Sequence, residues 1–184
     1  MRIVLSVLAV LIVAPVLRAT VLLPAEFREI VSGSQVIVYG RVTDARAEWV
    51  DNRRRIDTVV TVQAGTYLKG GPGDTVTFRV PGGEIGVYRN VMVGAPEFKP
   101  GDEAVFFLVA RGPEVPHIFG LSQGLFRVRL EGRSARRIVV PPALMAKSDS
   151  PEVVTRGAAD RQSRPLDVFA AQVRAVLAEK GGDR

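Results

Sequence analysis

The chain contains no cysteine and a single histidine, His117. The lack of cysteine excludes disulfides, a thiol nucleophile, cysteine-ligated metal sites and a lipid anchor on cysteine. With one histidine, a zinc site would depend on carboxylates, so we expect no metal and no cofactor. Aromatic residues make up only 7% of the chain, which disfavours the base-stacking surfaces of nucleic-acid binders.

The first 19 residues contain no acidic side chain and one apolar run. Arg2 precedes about 15 apolar residues, fewer than the roughly 20 that span a bilayer, and Ala19 supplies a small residue at the end of the segment. This pattern predicts a signal peptide, residues 1–19, and an exported protein that is periplasmic or secreted; an uncleaved anchor is the alternative. Cleavage removes Arg2 and Arg18 and lowers the formal net charge from +6 to +4, which favours anionic surfaces but does not indicate nucleic acid.

The middle of the chain alternates apolar and polar residues with a period of two, which is typical of β-strands. Gly40 lies inside the first strand and predicts a bulge or bend there. Short strands separated by Gly/Pro turns favour a mainly β fold, specifically a small OB-like antiparallel β-barrel, with a β-sandwich as the alternative. The predicted strands are 35–49 and 56–68 as a long hairpin, 75–80, a short strand at 90–93, 104–110, a hairpin of 117–121 with 125–130, and 136–140.

Helices are predicted at both ends of this β domain, which spans residues 20–140. A short helix over 24–31 begins at Pro24 and places Phe27, Ile30 and Val31 on one face. Residues 141–164 lack periodicity and are interpreted as a linker. An amphipathic helix over 165–182 follows, which either packs back on the barrel or engages another protein.

Residues 35–130 resemble the netrin-like domain of tissue inhibitors of metalloproteinases. The resemblance rests on the first strand, 36–42, on the Tyr-Leu-Lys-Gly turn at 67–70 and on the apolar run 104–109. The same stretch resembles uncharacterised exported bacterial proteins with a Gly-Arg-Val strand, a Lys-Gly turn, a Pro-Gly-Gly loop and a Gly-Asp/Glu-X-X-Val-X-Phe-Leu strand, here 40–42, 69–70, 81–83 and 101–108. The resemblance implies an OB-type barrel. It does not carry over the family's inhibitory mechanism, because those inhibitors chelate zinc through an amino-terminal cysteine.

Two motifs look catalytic but fit turns better. Residues 120–124 match the G-x-S-x-G elbow of serine hydrolases, yet a predicted strand rather than a helix follows Ser122, and His117 lies upstream. The glycine-rich stretch 69–75 has its lysine before the glycines, unlike a phosphate-binding P-loop. A hydrolase using Ser122 is therefore a minor alternative, and we identify no catalytic residue. Glu84, Glu97, Asp102 and Glu103 form no recognisable glycosidase pair.

The strongest local charge is the arginine run at the predicted tip of the long hairpin, 53–55. It is either a solvated turn or an anion contact next to Trp49. Together with the loop 81–90 it predicts a binding surface formed by Trp49, Arg53, Arg54, Arg55, Gly82, Gly83, Tyr88 and Arg89. The sequence thus favours an exported, non-enzymatic binding or accessory module whose partner is another exported protein or an anionic envelope component. A protease inhibitor or protease-associated protein is the alternative that the resemblance implies.

Overall fold

The computed structural model describes residues 24–110, 112, 114–132, 135–142 and 162–181. The predicted signal peptide and most of the predicted linker lie outside this range. The described elements are α1 (Phe27–Gly33), β1 (Val36–Val50), β2 (Arg55–Lys69), β3 (Thr75–Pro81), β4 (Gly83–Ile85), β5 (Tyr88–Asn90), β6 (Glu103–Val109), β7 (His117–Ile118), β8 (Leu125–Glu131), β9 (Arg136–Val140), β10 (Arg164–Pro165) and α2 (Leu166–Gly181).

The main sheet closes partly on itself. β1 pairs with β2 along the whole predicted hairpin and, through residues 36–41, with β6. β2 pairs with β3, β3 meets β7 in parallel where Arg79 faces His117, and β7 pairs with β6. The ring order is therefore β1-β2-β3-β7-β6-β1, while β8, β9 and β10 extend the sheet from β6. This confirms a mainly β, small barrel-like fold, antiparallel except at the β3–β7 contact.

Gly40 marks a bend of β1, as predicted. The register against β2 shifts between Tyr39 and Gly40. A Cβ at position 40 would lie 2.5 Å from the Gln63 carbonyl oxygen, so the two backbones approach too closely for any side chain. The bend lets one strand pair with both β2 and β6.

Two hydrophobic cores lie on opposite faces of β6. Ala104, Phe106 and Leu108 point into the barrel, whereas Val105 and Phe107 point outwards under the two helices. This alternation explains why the sequence shows a continuous apolar run rather than a polar face. The prediction of a strand buried on both faces is confirmed.

Both helices cover the outer face of the sheet. Phe27 of α1 and Phe169 of α2 contact each other edge to face, with ring centroids 5.6 Å apart, and both contact Phe107 and Phe126. The C-terminal helix therefore packs back on the barrel. Among the described residues, neither helix is long and apolar enough to cross a membrane.

Lys69 fixes the short helix to the sheet. Its ammonium donates to the backbone oxygens of Val31 at 3.4 Å and Ser32 at 3.3 Å, and also to that of Ser34. A cation at the carbonyl end of a helix satisfies free acceptors and complements the helix dipole. The glycine-rich stretch that follows is the turn between β2 and β3, as the sequence predicted.

Several predicted boundaries were wrong. α1 begins at Phe27 rather than Pro24, because the Glu29 carboxylate accepts the Glu26 backbone N–H at 2.7 Å and sets the first turn there. The short strand lies at 88–90, not 90–93. Pro165 pairs with Ile138 in β10, and the C-terminal helix starts one residue later.

The predicted hairpin of 117–121 with 125–130 was also wrong. β7 and β8 do not pair with each other; both pair with β6. The Phe119 N–H donates to the Phe107 oxygen, and the Phe107 N–H donates to the Gly124 oxygen, each at 2.9 Å. The backbone of β6 therefore takes the hydrogen bonds that a hairpin would have made.

Candidate functional site

The turn between β1 and β2 has an unusual backbone. Asp51, Asn52 and Arg53 have φ angles of 52°, 54° and 66°. The Arg54 N–H donates to the oxygens of Val50 and Asp51, each at 3.2 Å, and closes the turn. Asp and Asn tolerate the left-handed region, but an arginine there costs about 1 kcal/mol or more. Disfavoured backbone conformations occur most often at functional sites, so Arg53 is a candidate functional residue.

Arg53 lies over an aromatic pair. Its guanidinium carbon is 5.8 Å from the centre of the Trp49 ring, within range of a cation–π contact. The Trp49 ring meets Tyr88 edge to face, with centroids 5.4 Å apart. The predicted residues Trp49, Arg53 and Tyr88 are therefore brought together, although 35 positions or more separate Tyr88 from the other two in the sequence.

Gly82 and Gly83 position this pair and have a structural role. Gly82 has a φ of +105° and its N–H donates to the Ile56 oxygen at 3.0 Å. The Thr58 hydroxyl donates to the Gly82 oxygen at 2.7 Å. A Cβ on Gly83 would lie 3.0 Å from side-chain atoms of Ile56 and Thr58, so β4 crosses directly over the β1–β2 hairpin. This bend places the β4–β5 hairpin next to Trp49.

The loop that follows exposes apolar side chains. Eight large hydrophobic residues are exposed in the described part of the chain, and five of them lie between positions 87 and 93. They are Val87 (92% exposed), Tyr88 (61%), Val91 (66%), Met92 (47%) and Val93 (76%). Three consecutive exposed apolar residues, 91–93, are unfavourable in water unless they have a function.

Three arginines lie close to the Trp49–Tyr88 pair in the sequence or in space. Arg53, Arg54 and Arg89 are exposed and form no ion pair with the described residues. We define the tip surface as Trp49, Arg53, Arg54, Val87, Tyr88, Arg89, Val91, Met92 and Val93.

Arg55, by contrast, is held by carboxylates. Its Nε lies 3.0 Å from Asp57 Oδ1 and its Nη2 lies 3.2 Å from Oδ2, while Asp51 lies 3.2 Å from Nη1. Hydrogen bonding to Asp57, together with its charge, raises the pKa of Arg55. Within the described residues, the third arginine of the predicted run thus has ion pairs that the other two lack.

A cavity of about 370 Å³ lies behind the tip surface. It is lined by Ala45, Ala47 and Thr58 of the β1–β2 hairpin and by residues 80–84, 89–92 and 95–98. Its lining includes Gly82, Gly83 and Arg89 of the predicted site, so the cavity and the tip surface are adjacent.

The serine motif forms a turn. The Ser122 N–H donates to the Gly120 oxygen at 2.9 Å, and the Ser122 oxygen accepts the Leu125 N–H at 3.1 Å. The chain then continues as β8, without the helix that a nucleophile elbow requires. Within the described ranges, no hydrogen bond joins the Ser122 side chain to His117, which lines a separate cleft with Asp57 and Arg79.

Two of the four carboxylates considered as acid–base candidates, Asp102 and Glu103, form ion pairs within the barrel instead. Asp102 accepts the Lys99 N–H and contacts Arg127, each at 3.2 Å. Glu103 accepts the Tyr39 hydroxyl at 2.6 Å and pairs with Arg41 and Arg137. Burial alone would raise the pKa of Glu103, but hydrogen bonds from Tyr39 and Arg137 outweigh it and lower that pKa. Burial, followed by the bond to Glu103, raises the pKa of Tyr39.

Searches for similar proteins gave no match to a protein-family model, a curated protein or a solved structure. Nor do the described residues contain a group of three or more His, Asp or Glu side chains suited to hold a metal ion.

Sequence reasoning missed Val87, Val91, Met92 and Val93. The sequence predicts a short strand at 90–93, and apolar residues in such a strand are expected to be buried. The signal available was the uninterrupted run 91–93 inside a segment bounded by glycines and prolines, where alternation is absent.

Proposed function

We propose that this chain is an exported, non-enzymatic binding module that recognises its partner through the tip surface. The observation that supports the proposal most is the coincidence of two features. Most of the exposed large hydrophobic side chains described lie within 87–93. Arg53, Arg54 and Arg89, which form no ion pair with the described residues, lie near the Trp49–Tyr88 contact in the sequence or in space. Apolar residues next to unpaired cations are typical of surfaces that bind amphipathic or anionic partners.

The predicted export of the chain supports this proposal. That prediction rests on the apolar segment 3–17 and on the small residue at position 19. The barrel supplies rigidity, because its two cores and ladders fix the base of the β1–β2 hairpin while the tip extends from it. Binding at loops that a rigid barrel presents is the usual arrangement in such folds.

A binding experiment with the processed chain, residues 20–184, tests the proposal. Envelope proteins, envelope polysaccharide and total envelope lipid are offered separately to the wild type, to R53A/R54A and to the control R129A, which removes an exposed arginine of β8. We expect R53A/R54A to lose binding to one of the three fractions and R129A to retain it. Equal binding of all three proteins to every fraction would contradict the proposal.

The protease-inhibitor alternative stays a hypothesis based on the resemblance. No contact among the described residues favours it. Titration of the chain against secreted metallo- and serine proteases tests it directly, since an inhibitor would slow at least one of them.

A further inference from the structure

We infer that the tip surface docks on an anionic lipid bilayer. In this arrangement the aliphatic side chains of 87–93 enter the interface between headgroups and acyl chains, and Arg53, Arg54 and Arg89 meet lipid phosphates. The inference deepens the proposed function, on which it rests, by naming the partner of the same surface.

The shape of the surface fits a fluid partner. Val87 and Val93 are 92% and 76% exposed. A Cβ built on Gly86, at the turn between β4 and β5, meets no atom within 4 Å, so this hairpin extends into open space. A protruding aliphatic loop needs a matching pocket on a protein partner, whereas a bilayer deforms around it. Tyr88 adds an exposed aromatic ring with a polar end, the type of side chain that is enriched at membrane interfaces.

The charge of the surface complements acidic headgroups. Segments 49–55 and 82–93 contain four arginines against Asp51 and Glu84, a formal charge of +2. Asp51 is paired with Arg55, whereas Arg53, Arg54 and Arg89 are exposed and form no ion pair with the described residues. Each arginine near an anionic bilayer strengthens binding by about fivefold.

The composition of the surface distinguishes a bilayer from a polysaccharide. Sugar recognition and nucleic-acid recognition both use exposed aromatic faces for stacking. Here the most exposed side chains are valines, Trp49 is only half-buried under Arg53, and Tyr88 is the one exposed ring of the surface. Short aliphatic side chains next to cations instead complement a bilayer, in which apolar acyl chains lie beneath charged headgroups.

Trp49 provides a local test because it is the single tryptophan of the chain. The processed chain, residues 20–184, is mixed with vesicles of phosphatidylcholine containing phosphatidylglycerol, or of phosphatidylcholine alone. Residues 1–19 are omitted because they would bind lipid themselves, and every described residue lies outside them. We expect sedimentation with the anionic vesicles, a blue shift of Trp49 emission, and weaker binding as salt is added.

Two variants and two controls complete the test. R53A/R54A is expected to bind anionic vesicles about 25-fold more weakly. V87D/V93D is expected to abolish the blue shift, because it places carboxylates on the inserting loop. R129A and L130D, which change exposed residues of β8, are expected to bind as the wild type does. Far-UV circular dichroism and urea unfolding establish that each variant is folded.

Each contrary result has a definite meaning. Equal vesicle binding by the wild type and V87D/V93D, or the absence of a Trp49 shift, would overturn the lipid inference. If the wild type does not bind vesicles but binds envelope protein or polysaccharide more strongly than R53A/R54A does, the lipid inference fails and the proposed function stands. If no fraction shows dependence on the tip, both fail.

Discussion

The outer face of β6 and the loop 87–93 contain similar side chains in opposite environments. Val105 and Phe107 of β6 are fully buried under α1 and α2, in a cluster with Phe27, Phe126 and Phe169. The valines of the loop, in contrast, meet solvent. Burying one large apolar side chain contributes about 1.5–3 kcal/mol, so the fold gains that amount at β6 and forgoes it in the loop.

Arginines repeat this contrast. Arg41 and Arg137 near the helix-covered face meet Glu103, whereas Arg53 and Arg54 at the tip meet no carboxylate in the described structure. Around β6 these apolar side chains are buried and these arginines are ion-paired, whereas at the tip both kinds of side chain are exposed. Substitutions at the covered face should therefore change stability, and substitutions at the tip should change binding.

The largest effect is expected at the covered face. Phe107→Ala should lower the free energy of unfolding by about 3–5 kcal/mol, because it opens a cavity in a cluster of four rings. Urea denaturation measures the change. Val93→Ala is the matched control in the exposed loop and should stay within about 0.5 kcal/mol of the wild type. A comparable loss for both variants would show that the loop is packed and would remove the contrast.

A smaller effect is expected where the helices join the sheet. Lys69→Met retains most of the side-chain volume but removes the donor to the backbone oxygens at the end of α1. It should lower the free energy of unfolding by about 1–2 kcal/mol. Lys99→Met, at an exposed lysine in the turn before β6, should be nearly neutral in the same denaturation assay. If both variants were neutral, the Lys69 contacts would not stabilise α1.

The Glu103 network should make part of the stability depend on pH. Its pKa is lower in the folded protein than the ordinary value of 4.5. The ionised form therefore stabilises the fold above pH 4.5, and this contribution disappears as the pH falls through the folded pKa. Glu103→Gln should cost about 1–2 kcal/mol at pH 7 and less at pH 3.

Paired denaturation curves at these two pH values measure that difference. Glu97→Gln, which changes an exposed carboxylate, should show little effect at either pH. A constant loss for Glu103→Gln across the pH range would mean that shape rather than charge matters at this position.

The parts of the fold that the sequence predicts are those where pattern and environment agree. The long hairpin, β3 and the doubly buried β6 follow from alternation or continuous apolarity over seven residues or more. Gly40 marks the bend because only glycine fits between two backbones in contact there. These signals are local and strong.

The parts that the sequence does not predict depend on distant partners. β7 has two residues and exists only because β3 and β6 flank it. The contact between Trp49 and Tyr88 requires the Gly82–Gly83 bend, and hydrophobicity alone does not show that Val91 and Val93 face water. The arginine run is recognised from charge. The pairing of Arg55 with Asp57 requires Arg55 to belong to β2, whereas the sequence predicts that this strand begins at residue 56.

Substitution of Arg53 is expected to change stability least. It also separates an effect on stability from an effect on binding most clearly. Arg53→Gly relieves the left-handed backbone at a φ of 66°, but it also removes the cation–π contact with Trp49 and gives the unfolded chain more freedom. These contributions oppose each other, so the free energy of unfolding should change by less than about 0.5 kcal/mol. Arg53→Ala keeps the strained backbone and loses the same contact, so it should be about 1 kcal/mol less stable than the glycine variant.

Both variants lose the same cation and should bind the partner of the tip surface equally weakly. Urea denaturation and vesicle sedimentation on the two proteins measure the two quantities independently. A glycine variant that binds like the wild type would show that Arg53 serves only the turn, and an alanine variant as stable as the glycine variant would show that the turn carries no strain.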